Sequence, residues 1–524
     1  MQVVCREWAG KAFFAVRRAA AVAVVGSVVA ACVAPFPPEL QAENHNGVAK
    51  VLANAYEEVT ENYVDRVDVA DLAVAGLTNL SRLEPAFSIQ ADAQVVSLRL
   101  RDEEIFGFSR PPADDVDGWA DAAADTLIAA REHSGMVRAI SAQRVFENQM
   151  EGIAGSLKGG ARYSQPYEWR EILMPEYDGG VIISVKILES GLEIWRLDPD
   201  GRLEAEGLKK GDTITHIDFA PIAGLSWRDV RKRLMGPAGS TLAFTVLRGD
   251  PSAPTDLRVT RWKAEAPSYR LTRHDDIAVL QVPYLNFRAT YELERGIGTE
   301  LRKARYGETA LVGLVLDLRG NLGGGDLLLT DLANSFLGKG VISIQHDYRP
   351  EPKKVINASW PDHSDKLPLV VLVDGFTGYG VEDVVAALQD NGRALVIGSS
   401  TLGDGVVMQN VSLFNMGSIW MPVAFSHAPS GYGLAGRGVL PDICTSTPGA
   451  SIDGLMASLR RQEGLANIAD RTRNIDPEDK EALVAQRALC PAVLDEGDLA
   501  LDLALAILED PDLYARMMTQ NTGP

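Results

Sequence analysis

The spacing of apolar positions changes along the chain, and each change predicts a different kind of structure. After residue 47, Val48, Leu52, Ala55, Val59 and Tyr63 recur on one helical face, and helical pattern continues with interruptions to about residue 165. From about 170 to 262 the period shortens to two. Residues 181–187 alternate and are β-branched, and 214–217 and 242–247 read the same way. Ser226 is placed to cap one helix running to Met235, with Gly236 just past its end. Strands with a single such helix make a small α+β module.

From about 265 to 445, apolar strand runs alternate with helices. Residues 277–282 and 311–318 predict strands, the second apolar enough to be buried on both faces. A helix over 327–336, a strand over 369–373, a helix over 381–390 and a strand over 394–397 follow, and Gly392 suits the helix stop. Strand–helix–strand repeats imply right-handed crossovers and a largely parallel sheet. Beyond Pro448 the chain reads as helical and acidic, placed to pack back on the core through Cys490. Two segments, 75–85 and 151–158, are weakly alike, which either an internal duplication or chance accounts for.

Length and composition narrow the function. A chain of 524 residues holds two to four domains, and 46% hydrophobic with 23% charged residues is ordinary for a globular protein. The net charge of -20 repels a polyanionic backbone and excludes nucleic acid as a partner. Arg17-Arg18 precede an apolar segment, 19–31, too short to span a bilayer and suited to a signal peptide. Alanines after the arginine pair argue against a twin-arginine signal. Val29-Ala30-Ala31-Cys32 resembles the bacterial lipobox, which predicts acylation of Cys32; ordinary cleavage beside an incidental cysteine is the alternative. Residues 32–47, with Pro35, Pro37 and Pro38, read as a tether. The expected location is the bacterial periplasm on a lipid anchor, and Val33 after Cys32 favours the outer membrane. Of four cysteines, Cys5 lies in the signal, leaving Cys444 and Cys490 as a disulfide or as two buried thiols, with the bridge expected in an exported chain. No Cys and His cluster has zinc spacing, so neither a metal nor a cofactor is expected.

The candidate chemistry centres on a sharp turn. Val373-Asp374-Gly375-Phe376-Thr377-Gly378-Tyr379-Gly380-Val381-Glu382-Asp383 joins a buried strand to a helix, a place where enzymes of several kinds display a nucleophile. The residue displayed is Tyr379.

An ordered set of motifs then resembles one family. Glu206-Gly207-Leu208-Lys209-Lys210-Gly211-Asp212-Thr213-Ile214, with Ile217-Asp218 and Gly224-Leu225-Ser226, looks like the PDZ domain of carboxyl-terminal processing peptidases (tail-specific proteases). Leu316-Asp317-Leu318-Arg319-Gly320-Asn321-Leu322-Gly323-Gly324 resembles that family's "DLRGNPGG" turn, and Ala387-Leu388-Gln389-Asp390-Asn391 follows its elbow. Ala428-Pro429-Ser430-Gly431 and Gly436-Arg437-Gly438-Val439-Leu440-Pro441-Asp442-Ile443 resemble its closing signatures, and Glu61-Asn62-Tyr63-Val64-Asp65 its first helix. The resemblance spans most of residues 50–445 in the right order. With it the fold class becomes multidomain α+β. The expected parts are a signal peptide (1–31), a tether (32–47), a helical N-terminal domain (48–168) and a PDZ-like domain (169–262). A protease-like core with a largely parallel sheet (263–445) and a helical C-terminal region (446–524) complete it.

The family uses a Ser/Lys dyad, the serine in an elbow like "TASASE" and the lysine in "TFGKG" about 25 residues later. Aligning Thr377 and Glu382 with that elbow puts Tyr379 at the serine, and Thr401-Leu402-Gly403-Asp404-Gly405 puts Asp404 at the lysine, 25 positions on. Both members are replaced. In such a dyad a desolvated, neutral lysine takes the serine proton. A phenol stands further out on a rigid ring and has an ordinary pKa near 10. A carboxylate beside a developing oxyanion opposes the stabilisation that the reaction needs. Losing nucleophile and base together removes about a million-fold in turnover. The resemblance also implies an oxyanion-side loop at Gly323 and Gly324 and a site-associated Asp390. Thr377, Ser399, Ser400 and Thr401 are nearby hydroxyls with no Lys or His close in sequence.

In the PDZ-like module, Gly180-Val181-Ile182-Ile183 corresponds to the loop and strand that would hold a peptide's terminal carboxylate while the peptide adds as a strand. The expectation is therefore an exported pseudoprotease that binds unfolded polypeptide C-termini or envelope proteins. An active serine-type peptidase with altered residues and a structural envelope assembly protein are the alternatives.

Overall fold

The computed structural model describes residues 45–165, 179–263 (except 182–183, 189, 198–201, 224–229 and 231–232), 269–283, 287–323, 326–461 (except 416), 475, 479–494 and 497–521. The signal peptide, Cys32, most of the tether, the Ser226 cap, Ile182, Ile183 and Gly324 lie outside the described residues. The chain divides into two compact units: Met1–Gln165 with Gln409–Met421, and Pro166–Met408 with Pro422–Pro524.

In the first unit, α1 (His45–Asn62) buries Val48, Leu52, Ala55 and Val59, the face that the apolar spacing predicts. α2 (Val69–Thr78) follows. Residues 87–109, expected to continue the helical region, instead form an antiparallel meander of β1 (Phe87–Ala91), β2 (Val95–Leu100) and β3 (Glu103–Ser109). The pattern was weak because few of these side chains are buried; Phe87, Val96 and Leu98 carry most of it. α3 (Val116–His133) packs beside α1, and α4 (Ala142–Ser156) crosses α2. At that crossing a Cβ on Gly152 would stand 2.9 Å from the Cα of Gly76, so the two weakly alike segments meet where their glycines let the backbones touch.

The second unit opens with a five-stranded antiparallel path. β4 (Ser184–Leu188), β5 (Gly191–Arg196), β6 (Thr213–Ile217), β7 (Thr241–Arg248) and β8 (Asp250–Thr260) lie in the order β8-β7-β6-β5-β4. Ile194, Ile214, Ile217, Phe244, Val246 and Val259 fill its core. Buried Asp212 is held by Arg248 through two bonds, 2.7 and 2.6 Å, a bidentate pair that fixes the turn before β6.

The main sheet of this unit has six strands. β9 (Arg270–His274) is antiparallel to β10 (Ile277–Gln281), and β10 is followed by α5 (Phe287–Arg305). β11 (Gly313–Asp317), α6 (Asp326–Asn334), β12 (Val341–His346), β13 (Lys354–Asn357), β14 (Leu369–Val373), α7 (Gly380–Asp390), β15 (Leu395–Gly398), β16 (Ser418–His427) and β17 (Ile443–Cys444) come next. The sheet order is β9-β10-β11-β14-β15-β17, parallel from β10 onward, as the strand–helix alternation implies. β12 pairs antiparallel with β13 and with the end of β16.

Alternate residues explain why these strands read as unbroken apolar runs. Leu314, Leu316, Leu369, Val371 and Val373 face a layer containing Leu332, Val381 and Val384. Val315, Val370, Leu372, Leu395 and Ile397 face the other layer, supplied by the C-terminal helices α8 (Ile452–Arg461), α10 (Leu499–Leu508) and α11 (Pro511–Asn521). Between α8 and α10, α9 (Lys480–Ala488) leads to Cys490, which is bonded to Cys444 at the end of β17. No helix among the described residues is long and apolar enough to cross a membrane.

Candidate functional site

β14 is fully buried along its length, and the chain leaves it through a turn locked by its own side chains. Asp374 accepts the amides of Gly320 and Phe376, each at 2.9 Å, and the Thr377 hydroxyl donates to the Leu318 carbonyl at 3.0 Å. Gly378 donates to the Asn321 carbonyl at 3.0 Å. These bonds lace the 318–323 turn to the elbow. Tyr379 then stands immediately before α7 with φ 52° and ψ -143°, a left-handed conformation in which a bulky residue is strained. The strain displays its side chain: Tyr379 is 42% exposed although its neighbours Thr377 and Gly378 are buried.

Gly323 packs directly on this elbow. Its φ is +102°, and a Cβ there would stand 3.3 Å from the Tyr379 Cβ. Its amide, in the turn that the resemblance makes an oxyanion-side loop, donates to the Asn321 side chain at 2.8 Å. The Gly380 amide, first in α7, is among the donors that a helix N-terminus leaves without intrahelical partners.

Glu382 assembles the other half of the site. It is fully buried in the first turn of α7, and its carboxylate accepts the Thr401 hydroxyl at 2.5 Å, the Gly403 amide at 2.7 Å and the Asp404 amide at 3.1 Å. Burial pushes its pKa up to about 7, and the Thr401, Gly403 and Asp404 donors pull partly back. The sequence used Glu382 only as a marker of the elbow. Its role was invisible there because its three partners lie 19 to 22 residues further on.

Asp404, held by this bridge, faces the elbow. Burial pushes its carboxyl above the ordinary carboxylate range, with the Val406 amide pulling the other way. Its Oδ2 is closed off from solvent and has no hydrogen-bond partner. Burial raises the Tyr379 hydroxyl as well, and the Asp404 charge adds to that rise. Both effects keep the phenol protonated, the reverse of activation. Leu322 and Leu402, 40% and 37% exposed, flank Gly378, where a Cβ would meet Leu402 at 2.6 Å and Leu322 at 3.4 Å. The elbow surface therefore presents an exposed phenol, two part-exposed leucines beside Gly378 and a carboxyl with one unpartnered oxygen.

The four neighbouring hydroxyls are occupied. Thr377 donates to Leu318, Ser399 to the Val493 carbonyl at 3.1 Å, Ser400 to the Cys490 carbonyl at 2.5 Å and Thr401 to Glu382. All four are buried, so none is presented to a substrate. Asp390 does not join the constellation. It ends α7, about 15 Å from the elbow at 1.5 Å per residue, and accepts the Ser430 amide at 2.9 Å. A helix of that length carries it away from Tyr379, so the position that the resemblance associates with the site stands at the opposite end of α7. In the PDZ-like module, Gly180 pairs with Trp262, and Val181 is buried in the module's core.

Among known proteins, residues 276–445 match the model of Peptidase family S41. A carboxy-terminal-processing protease of Bartonella bacilliformis is 28% identical over 311 residues, covering 58% of this chain and 70% of that protein. A chloroplastic C-terminal processing peptidase of Tetradesmus obliquus is 27% identical over 277 residues, 51% of this chain and 58% of that protein. The solved photosystem II D1 C-terminal processing protease is 22% identical with a TM-score of 0.48, covering 75% of this chain and 92% of that one.

Proposed function

We propose that this chain, whose residues 276–445 match Peptidase family S41, holds polypeptide C-termini in the cell envelope without cutting them. The observation that carries this reading is the content of the elbow. Where the family pattern has a serine and a lysine, this elbow has a phenol kept protonated by desolvation and the Asp404 charge, and a carboxyl with one unpartnered oxygen. The raised carboxyl of Asp404 faces a phenol that is itself held protonated, that of Glu382 faces only the buried Thr401 hydroxyl, and the Gly323 amide is spent on Asn321. The part-exposed leucines and β4, the end strand of the PDZ-like sheet, suit an extended apolar segment ending in a free carboxylate. Lipidation at Cys32 would hold the chain at the periplasmic face of a membrane, the outer one on the evidence of Val33.

A peptide-binding measurement tests the reading. Labelled peptides with an apolar, free C-terminus are compared with the same peptides amidated, by anisotropy, and then recovered by mass spectrometry. We expect the free acid to bind about tenfold or more tightly and to be recovered intact. Equal absence of binding would leave the structural assembly role in its place. One observation favours retained catalysis: the strained backbone at Tyr379 is kept despite the bulky residue. Peptide recovered in fragments would support that second reading.

A further inference from the structure

We infer that residues 487–493, pinned by the Cys444–Cys490 disulfide, are a strap that positions the 401–404 loop, so that the site is fully assembled only in an oxidising compartment. This holds whether the site cuts polypeptides or only holds them. The strap crosses the ends of β14 and β15 on the edge that carries the elbow. Arg487 donates to the carbonyls of Arg437 at 2.6 Å and Thr401 at 3.0 Å, and a Cβ on Gly403 would meet its Nη1 at 2.9 Å. The Cys490 carbonyl accepts the Ser400 hydroxyl. The Val493 carbonyl accepts the Ser399 hydroxyl and, at 2.8 Å, the amide of Gly375. Gly375 opens the elbow turn, and a Cβ there would touch Val493 N at 3.0 Å. The strap thus grips both segments that bear the site positions, the 375–379 turn and the 399–404 loop.

Residues 491–494 form neither helix nor strand, so no ladder of backbone bonds holds them in place. Among the described residues, their anchors are the contacts from Ser399 and Gly375, the Ser446 bond to the Pro491 carbonyl at 2.7 Å, and the disulfide, which closes a separation of 46 residues. Cys490 is fully buried and Cys444 nearly so, which suits a bond formed once during maturation rather than one cycled in use. Formation joins two thiols into one S–S bond, and a disulfide oxidant takes up the two electrons and two protons. Arg487 is a positioning residue in this scheme.

Hydrogen exchange of the full mature chain, read by mass spectrometry, tests the strap in three forms: oxidised, the double variant Cys444→Ala, Cys490→Ala, and Arg487→Ala with the disulfide intact. In the double variant we expect exchange about tenfold or more faster over 399–405 and at 375–378, with 277–281 and 313–317 unchanged. Arg487→Ala should speed exchange over 401–404 while leaving 375–378 protected. If the double variant fails to fold, the Arg487→Ala pattern alone decides. Exchange over 399–405 equal in all three forms, or faster exchange spread evenly over the sheet, overturns the inference.

Discussion

The backbone amide of Asp404 donates to the carboxylate of Glu382 at 3.1 Å, so the loop bearing the second site position hangs from the first turn of the helix behind the elbow. Tyr379 and Asp404 are thereby held together by a residue that belongs to neither position. Because that residue is a buried acid, the coupling depends on pH.

Glu382 has its carboxyl pushed up to about 7 in the fold against an ordinary value of 4.5. The folded chain therefore binds this proton more tightly than the unfolded one. The stability it contributes is complete below the unfolded value and is lost as pH rises through the folded one, by up to a few kcal/mol. Urea midpoints of the wild type should fall from about pH 5 to about pH 7.5, and Glu382→Gln should flatten that fall. An identical slope in both proteins would place the proton elsewhere.

Tyr379 occupies a left-handed backbone conformation that glycine adopts freely and alanine does not. Both truncations lose the same ring. Tyr379→Gly should therefore be more stable than Tyr379→Ala by about 1 kcal/mol or more in urea denaturation. Equal stabilities would mean that the turn relaxes and the elbow is not strained.

Asp404 carries a buried, unpartnered oxygen, which is a cost to the fold. Serine keeps a short acceptor for the Val406 amide and removes that oxygen. Asp404→Ser should melt at the same temperature as the wild type or higher, as sites that trade stability for function do. A clear loss of melting temperature would make Asp404 a structural residue.

Gly323 has φ +102° and abuts the Tyr379 Cβ. Gly323→Ala should destabilise by about 1–3 kcal/mol and weaken peptide binding, since the turn and the elbow move together. Unchanged binding in a destabilised variant would separate this turn from the site.

The sequence made the main sheet legible because runs such as 369–373 are apolar at every position and buried on both faces. The elbow was legible because a buried strand, glycines and a helical pattern follow one another within a dozen residues. What stayed hidden depends on tertiary closure. The β1–β3 meander buries too few side chains to show a strong period, and a buried glutamate such as Glu382 has no local signature. Arg487 reaches a carbonyl 86 residues away. The resemblance associated Asp390 with the site, and the fold sets it at the far end of α7 from Tyr379, a separation that only the helix length reveals.

Cleavage of an unfolded protein with an apolar C-terminus, followed by mass spectrometry, decides whether this elbow cuts polypeptides. The wild type, Tyr379→Phe and the double variant Tyr379→Ser, Asp404→Lys are compared. We expect intact substrate with the wild type and Tyr379→Phe, and cleavage only with the double variant. Cleavage by the wild type that disappears in Tyr379→Phe would contradict it.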